Sequence, residues 1–276
     1  MPFMRLQNIT PLPQLQGYID KLWVFESEGI PPNADLNLIV PNGLIKLVIP
    51  FRNKLTGIME GCNHTSAENS ITLIGMTDIP SVVVSPDDSY AGTIGVEFSV
   101  FGAYRFFHLP QNEIKNHIHS LTTVVGQAAK TLEEHISNAP TLAEKIYLLQ
   151  QFLLRQFTRQ PHDAIYDYCV KKILFSKGRI TVKELEKETG YSSRWLNMKF
   201  TEKAGISPKN LASIIRFQQF YQALARNDEK SFFTSSFYDF YYDQSHFIKD
   251  FKRFTGMPPT KLALADNEFG KIFYKE

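Results

Sequence analysis

The sequence predicts an α+β chain. An N-terminal β-rich domain, barrel or sandwich-like and carrying helices, precedes a C-terminal all-α domain with two helix-turn-helix units. Three observations carry this. Short apolar runs separated by turn-forming clusters fill residues 1–110. From about residue 111 the apolar spacing changes to threes and fours. Finally, residues 192–208 recur at 243–259 with a constant offset of 51.

In chain order, residues 18–25 and 36–40 are rich in β-branched and aromatic side chains, as strands require. Pro41-Asn42-Gly43 marks a tight turn, because Asn and Gly tolerate positive φ. A strand over 44–49 is expected to stop at Pro50, which cannot donate to a ladder. Strands at 71–74, 82–84 and 93–98 follow, with residues 85–89 as a turn cluster. Helices are expected at 112–119, 121–137 and 141–158. In the last, Leu142, Ile146, Leu149, Phe152 and Leu153 form one stripe, and Thr141 with Glu144 fits a capping box. Arg159-Gln-Pro161 marks a joint, which sets the domains at 1–160 and 161–276. A further helix covers 163–175 and ends at Ser176-Lys-Gly178.

Each copy of the repeat reads as a short helix with a stop signal. Ser192 and Asp243 are N-caps. Leu196 with Phe200, and Phe247 with Phe251, are i, i+4 apolar pairs. Gly205 and Gly256 suit the left-handed C-terminal position, with Pro208 and Pro259 soon after. Upstream, Thr181-Val-Lys-Glu184 is a capping box and Gly190-Tyr191 closes a short helix, so residues of about 180–205 form one helix-turn-helix unit. The second unit is expected at about 231–257. Ser207-Pro208 starts a long connecting helix of about 27 Å, comparable to the ~34 Å spacing of successive major-groove faces.

Charge supports this division. The whole chain has 30 Lys and Arg against 28 Asp and Glu, a net of +2. Residues 171–261 hold 17 basic and 9 acidic residues, net +8, leaving −6 for the remainder. A basic segment beside an acidic one points to nucleic acid for the basic part. No apolar run reaches the ~18 residues of a membrane span, and the N-terminus lacks a secretory pattern. Cys62 and Cys169, 107 positions apart, offer neither a disulfide framework nor a thiolate metal pair, and read as reduced cytosolic thiols. There is no glycine-rich phosphate loop or G-x-S-x-G elbow, so neither enzyme nor cofactor is expected. His117-x-His119 is set aside as a metal pair, because positions i and i+2 of a helix do not face each other.

The stretches Leu185…Gly190-Tyr-Ser-Ser-Arg-Trp-Leu196…Phe200…Gly205-Ile-Ser-Pro208…Arg216 and Tyr242-Asp-Gln-Ser-His-Phe-Ile-Lys-Asp-Phe251…Gly256-Met-Pro-Pro259 resemble the AraC/XylS family of bacterial transcription regulators. More loosely, Val40-Pro-Asn-Gly43 and Gly95-Val-Glu-Phe98…Gly102-Ala-Tyr-Arg105 resemble a sensor domain fused to such modules. The resemblance implies a cytoplasmic regulator of double-stranded DNA, with a sensing or dimerisation domain at 1–160. A small-molecule effector, a homodimer and contact with RNA polymerase are its implied partners. It places base readers at Ser193, Arg194, Asn197 and Met198 on the first exposed helix and at Gln244, Ser245, His246 and Lys249 on the second. Their chemistry suits the role in part: Arg grips guanine, Asn or Gln pairs with adenine, and Met can meet a thymine methyl. Lys199, Lys209, Lys252 and Arg253 are expected at phosphates. Trp23, Phe25, Phe98, Tyr104 and Phe106 are candidates for an effector pocket, with core packing as the competing fate.

Three residues depart from the family pattern. Glu186 and Phe220 stand at usual alanines, and Phe240 at the glycine of the second turn. The second unit is therefore expected to be distorted, or repacked around larger side chains. The rival readings are an interaction protein with impaired DNA binding and an alkyl-transfer fusion, which the two isolated cysteines disfavour.

Overall fold

The computed structural model describes residues 3–28, 38–84, 90–157, 163–226 and 240–261. The N-terminal strands in chain order are β1 (Phe3–Ile9), β2 (Ile19–Glu28), β3 (Leu38–Ile39), β4 (Ile45–Arg52), β5 (Leu55–Met59), β6 (Cys62–Ser66), β7 (Thr72–Ile74), β8 (Ser81–Val84), β9 (Tyr90–Phe98) and β10 (Ile118–Ser120). They pair antiparallel in two sheets, one ordered β1-β2-β9-β4-β7-β10 and the other β3-β8-β5-β6. The β-rich expectation for this half holds.

Side-chain alternation assigns the two faces of the larger sheet. The cross-strand row Leu22, Val96, Leu47 and Leu73 is buried against the helices. The neighbouring row Trp23, Gly95, Val48 and Thr72 faces the smaller sheet, where Thr72 hydrogen-bonds the Ser66 hydroxyl at 2.5 Å. Gly95 is required there, since a Cβ would lie 2.1 Å from the Trp23 indole.

Three expectations need correction. β4 does not stop at Pro50 but runs to Arg52: Pro50 stays in register with Thr93 of β9, pairing with β7 has already ended at Val48, and the register shifts only between Pro50 and Arg52. Residues 112–119 are not a helix. A 3-10 turn at Gln111–Ile114 is followed by Asn116 at φ 56, whose N–H bonds Met76 O, and β10 then pairs with β7. Ile114 and Ile118 imitate a helical i, i+4 pair, but edge pairing decides the outcome. The helix over 121–137 is broken by Gly126 at φ 62 into α1 (Leu121–Val125) and α2 (Gln127–Asn138). Expectations falling on residues 85–89, 159–161 and 232–238 lie outside the described residues.

The remaining helices are α3 (Leu142–Gln156), α4 (Ala164–Phe175), α5 (Val182–Thr189), α6 (Ser193–Ala204), α7 (Pro208–Arg226) and α8 (Gln244–Thr255). One continuous apolar cluster joins the helix-facing side of the larger sheet to all of these. Tyr166 on α4 sits at its centre, fully buried, with its hydroxyl donating to Val100 O at 2.8 Å. The C-terminal domain thus rests on the β domain through shared core, not through a linker alone.

Candidate nucleic-acid interface

The first unit is α5, a left-handed turn at Gly190 (φ 76) and α6. The capping box is complete: Thr181 Oγ1 accepts from Glu184 N at 3.2 Å, and Glu184 Oε2 accepts from Thr181 N at 2.7 Å. Leu185, Leu196 and Phe200 are buried and fix the inward face. Ser192 caps α6 by accepting from Trp195 N at 3.4 Å. The departure at Glu186 is accommodated, because its carboxylate accepts the Ser193 N–H at the start of α6. The helix ends at Gly205, φ 80, pressed against the Gln111 carbonyl.

Arg194, Asn197 and Met198 emerge together on the outer face of α6, all exposed. Their i, i+3, i+4 spacing makes one strip. Ser193 is half-buried beneath it. Lys199 turns sideways, over the Trp195 ring at 5.6 Å and 3.9 Å from Asp163. Lys209 is exposed in the first turn of α7.

The second unit is described from residue 240 onward. Asp243 caps α8 by accepting from His246 N at 2.7 Å, and Gly256, φ 77, closes it. Phe247, Phe251 and Phe254 are buried. Gln244, Ser245, Ile248, Lys249 and Lys252 are exposed. His246 turns toward α7 instead: its Nε2 lies 3.7 Å from Asp250 and 3.4 Å from Arg216. Arg216 also pairs with Asp250 at 3.3 Å, lies over the Tyr241 ring, and donates to Gly178 O at 3.2 Å. This cluster ties α8 to α7 and to the turn after α4. Burial and the Asp250 carboxylate beside it push the Tyr241 phenol up.

The departures at Phe220 and Phe240 prove to be one contact. Phe220 is fully buried, with its ring 4.8 Å from Phe247 and 5.9 Å from Phe240. Of the two outcomes expected, the described part of the unit shows repacking around larger side chains.

The faces of α6, α7 and α8 opposite the exposed strips meet the β domain. Gly43, φ 78, admits Leu211 and Ile214 of α7 to its backbone, and Gln218 Nε2 donates to Pro41 O at 2.5 Å. Lys203 lies 4.3 Å above the Tyr104 ring. Arg253 does not point outward but reaches Asp78 of the β domain at 2.6 Å.

The five pocket candidates separate. Trp23 and Phe25 lie on the face between the sheets, with the Lys46–Glu97 ion pair (3.5 Å) on that same face. Phe98, Tyr104 and Phe106 belong to the core beneath the helices, where the Phe98 and Phe106 rings meet tilted at 5.0 Å and Tyr104 meets Tyr166 edge-on at 5.9 Å. A surface cleft of about 420 Å³ lined by Arg52, Asn53, Glu68 and Tyr90 includes none of them. His119 lies on β10 and His117 just before it, not on a helix, and their rings stack 5.6 Å apart. Among the described residues no group of three His, Cys, Asp or Glu side chains is placed to hold a metal ion. Nor does any described helix have the length and apolarity to cross a membrane.

A β-rich domain carrying capped helices, with two outward strips at the 51-residue repeat, defines a DNA-binding regulator of the helix-turn-helix class. Residues 185–264 match the family model described as "Helix-turn-helix domain", and residues 7–120 match "Domain of unknown function (DUF6597)". The C-terminal segment is an AraC-type helix-turn-helix domain, as the sequence resemblance implied. No curated protein matches the chain. Similar solved structures include ToxT from Vibrio cholerae O395 bound to (E)-4-(8-methylnaphthalen-1-yl)but-3-enoic acid, 13% identical, covering 96% of this chain and 99% of that one with a TM-score of 0.45. An apo ToxT variant from Vibrio cholerae strain SCE256 is 12% identical over 94% and 96% of the chains, TM-score 0.43. The EutQ protein of Clostridium difficile is 12% identical over 34% of this chain and 67% of that one, TM-score 0.27.

Proposed function

We propose that this chain is a sequence-specific transcription regulator that sets α6 and α8 into successive major grooves of one DNA duplex. The single observation that carries the reading is the pair of outward strips at equivalent repeat positions, Arg194-Asn197-Met198 and Ser245-Ile248-Lys249, on helices whose opposite faces are buried. The connecting helix α7 has 19 residues, about 28 Å of rise, which suits one helical turn of DNA. Lys209, Lys249 and Lys252 supply salt-sensitive phosphate contacts. In this reading the protein acts in the cytoplasm, as a homodimer, and contacts RNA polymerase.

The β domain is the regulatory part. An effector entering between the two sheets would meet Trp23, Phe25 and the Lys46–Glu97 pair. It would act through its differential affinity for two placements of the helical domain. Because Pro41, Gly43 and Asp78 touch α7 and α8 directly, a shift of these loops has a short route to the DNA-facing helices.

Selection of random DNA with the full-length protein tests the function. An enriched bipartite site is expected, with Arg194→Ala weakening binding by about 1–3 kcal/mol and relaxing one position. Binding that is insensitive to salt and to Arg194→Ala combined with Lys249→Ala would sink the reading and leave the interaction protein in its place.

A further inference from the structure

Ile248 is an apolar side chain at a position that packing does not use. It is 40% exposed, on a helix whose aromatic residues Phe247, Phe251 and Phe254 are buried to 3% or less. The offset of 51 aligns Ser245, Ile248 and Lys249 with Arg194, Asn197 and Met198. Ile248 therefore occupies, on α8, the place that the polar Asn197 holds on α6. The two strips are unlike: the first joins a guanidinium and a carboxamide to one thioether, and the second sets an aliphatic group between a hydroxyl and an ammonium.

The chemistry of the major groove narrows what an isoleucine can meet there. Adenine, guanine and cytosine present donors and acceptors, whose water an aliphatic group removes without replacing the lost hydrogen bonds. Thymine adds a C5 methyl, the one apolar feature of a base edge in that groove. Lys249 and Lys252, exposed beside Ile248, hold the helix near phosphate or guanine and supply the attraction that an apolar reader lacks.

Resting on the DNA-binding reading above, we infer that Ile248 is a specificity-determining residue that reads a thymine of the α8 half-site through its 5-methyl group. The half-site under α6 is read by hydrogen bonds from Arg194 and Asn197. The operator is consequently asymmetric, and its two halves follow different rules.

The test uses the full-length protein and the site enriched from random DNA. Each thymine of that site is replaced in turn by deoxyuridine, which removes only the methyl group. Wild-type protein should bind about three- to fivefold more weakly when one particular methyl is missing, the size expected for one buried methyl. Ile248→Ala should bind the thymine and deoxyuridine forms equally at that position, Ile248→Val should keep the preference, and Arg194→Ala should leave it intact. The deoxyuridine series on wild-type protein does not depend on any variant folding, and Met198→Ala, at an exposed position of α6 whose thioether can also meet a methyl, should leave the loss unchanged. An enriched site in which every thymine tolerates deoxyuridine, or in which Ile248→Ala keeps the preference, overturns the assignment. Failure to enrich any site overturns the DNA-binding reading itself, and the role of Ile248 with it.

Discussion

Asp78 Oδ2 lies 2.6 Å from Arg253 Nη2, so a carboxylate of the β domain holds a cation of α8. The same oxygen accepts from Lys115 Nζ at 2.7 Å, and Oδ1 accepts from Asn116 Nδ2 at 2.7 Å. Burial alone would raise the Asp78 pKa. The hydrogen bonds from Lys115 and Asn116, with the charges of Lys115 and Arg253, outweigh it and hold the carboxyl below its usual range. A carboxyl depressed in the folded state stabilises fully above its unfolded pKa of about 4, and that contribution disappears as pH falls through the lower folded value. Asp78→Ala should therefore cost roughly 2 kcal/mol at pH 7. That is less than the ~3–5 of a fully buried pair, since Lys115 and Arg253 keep some contact with water. Thermal melts of wild type and variant should differ by a constant amount from pH 8 to about pH 5, and the gap should begin to narrow only below about pH 4.

The placement of the cations separates two kinds of lysine and arginine on α8. Lys249 and Lys252 face outward, whereas Arg253 is committed to Asp78. Lys249→Ala and Lys252→Ala should each lower the slope of log affinity against log salt by about 0.9, with melting temperature unchanged. Arg253→Ala should do the reverse, lowering melting temperature with little effect on the slope. Fluorescence-anisotropy titrations at several salt concentrations, paired with melts, distinguish the two patterns.

What the sequence revealed follows from the range over which each feature acts. Helix caps and stops at Thr181, Ser192, Gly205, Asp243 and Gly256 were readable because each depends on a few neighbouring residues. The exposed strip on α6 is what the family resemblance implies, residue by residue. Ile248 was readable by the offset of the repeat, but a search for polar base readers passes over an aliphatic residue. Phe220 and Phe240 look like separate violations along the chain, and only their 5.9 Å ring contact shows that they compensate each other. Asp78 carries no local signal at all, since its partners stand 37, 38 and 175 positions away. Residues 112–119 look helical in the sequence because two isoleucines four apart satisfy a helical pattern, while pairing with β7 is decided by tertiary structure.

Because the core is continuous across the β sheet and the helices, chemical unfolding should show one transition, not two. Tyr166 is the probe for this. Tyr166→Phe leaves the Val100 carbonyl without its donor and should cost about 1–2 kcal/mol. Tyr166→Ala also removes the ring that contacts Tyr104 and Phe200 and should cost about 3–5 kcal/mol. Far-ultraviolet dichroism at wavelengths weighted to helix and to strand should move together in both variants. Two separated transitions would show that the domains unfold independently.

The two thiols should differ in reactivity. Cys169 on α4 is fully buried, and burial, followed by the nearby Asp163 and Glu188 carboxylates, pushes its pKa up to about 11. At pH 8 the thiolate is then a minute fraction of the population. Cys62 on β6 is only half-buried. An aromatic disulfide reagent should titrate one thiol per native chain, Cys62, and the second only after denaturant is added. Cys62→Ser should leave the native protein unreactive on the same timescale.

Gly95 tests the packing between the sheets. Its backbone lies beneath the Trp23 indole, and a Cβ there would stand 2.1 Å from the ring. The neighbour is a large aromatic group on a paired strand, so the clash cannot be relieved by a flexible side-chain end. Gly95→Ala should force the indole off its seat and cost about 1–3 kcal/mol, the usual range for overpacking. The chain has two tryptophans, Trp23 and the half-buried Trp195, so a Trp195→Phe background isolates the signal. In that background Gly95→Ala should shift the emission of Trp23 to longer wavelength as the indole, now 7% exposed, gains water. An unshifted emission together with an unchanged melting temperature would mean that the indole does not lie against Gly95.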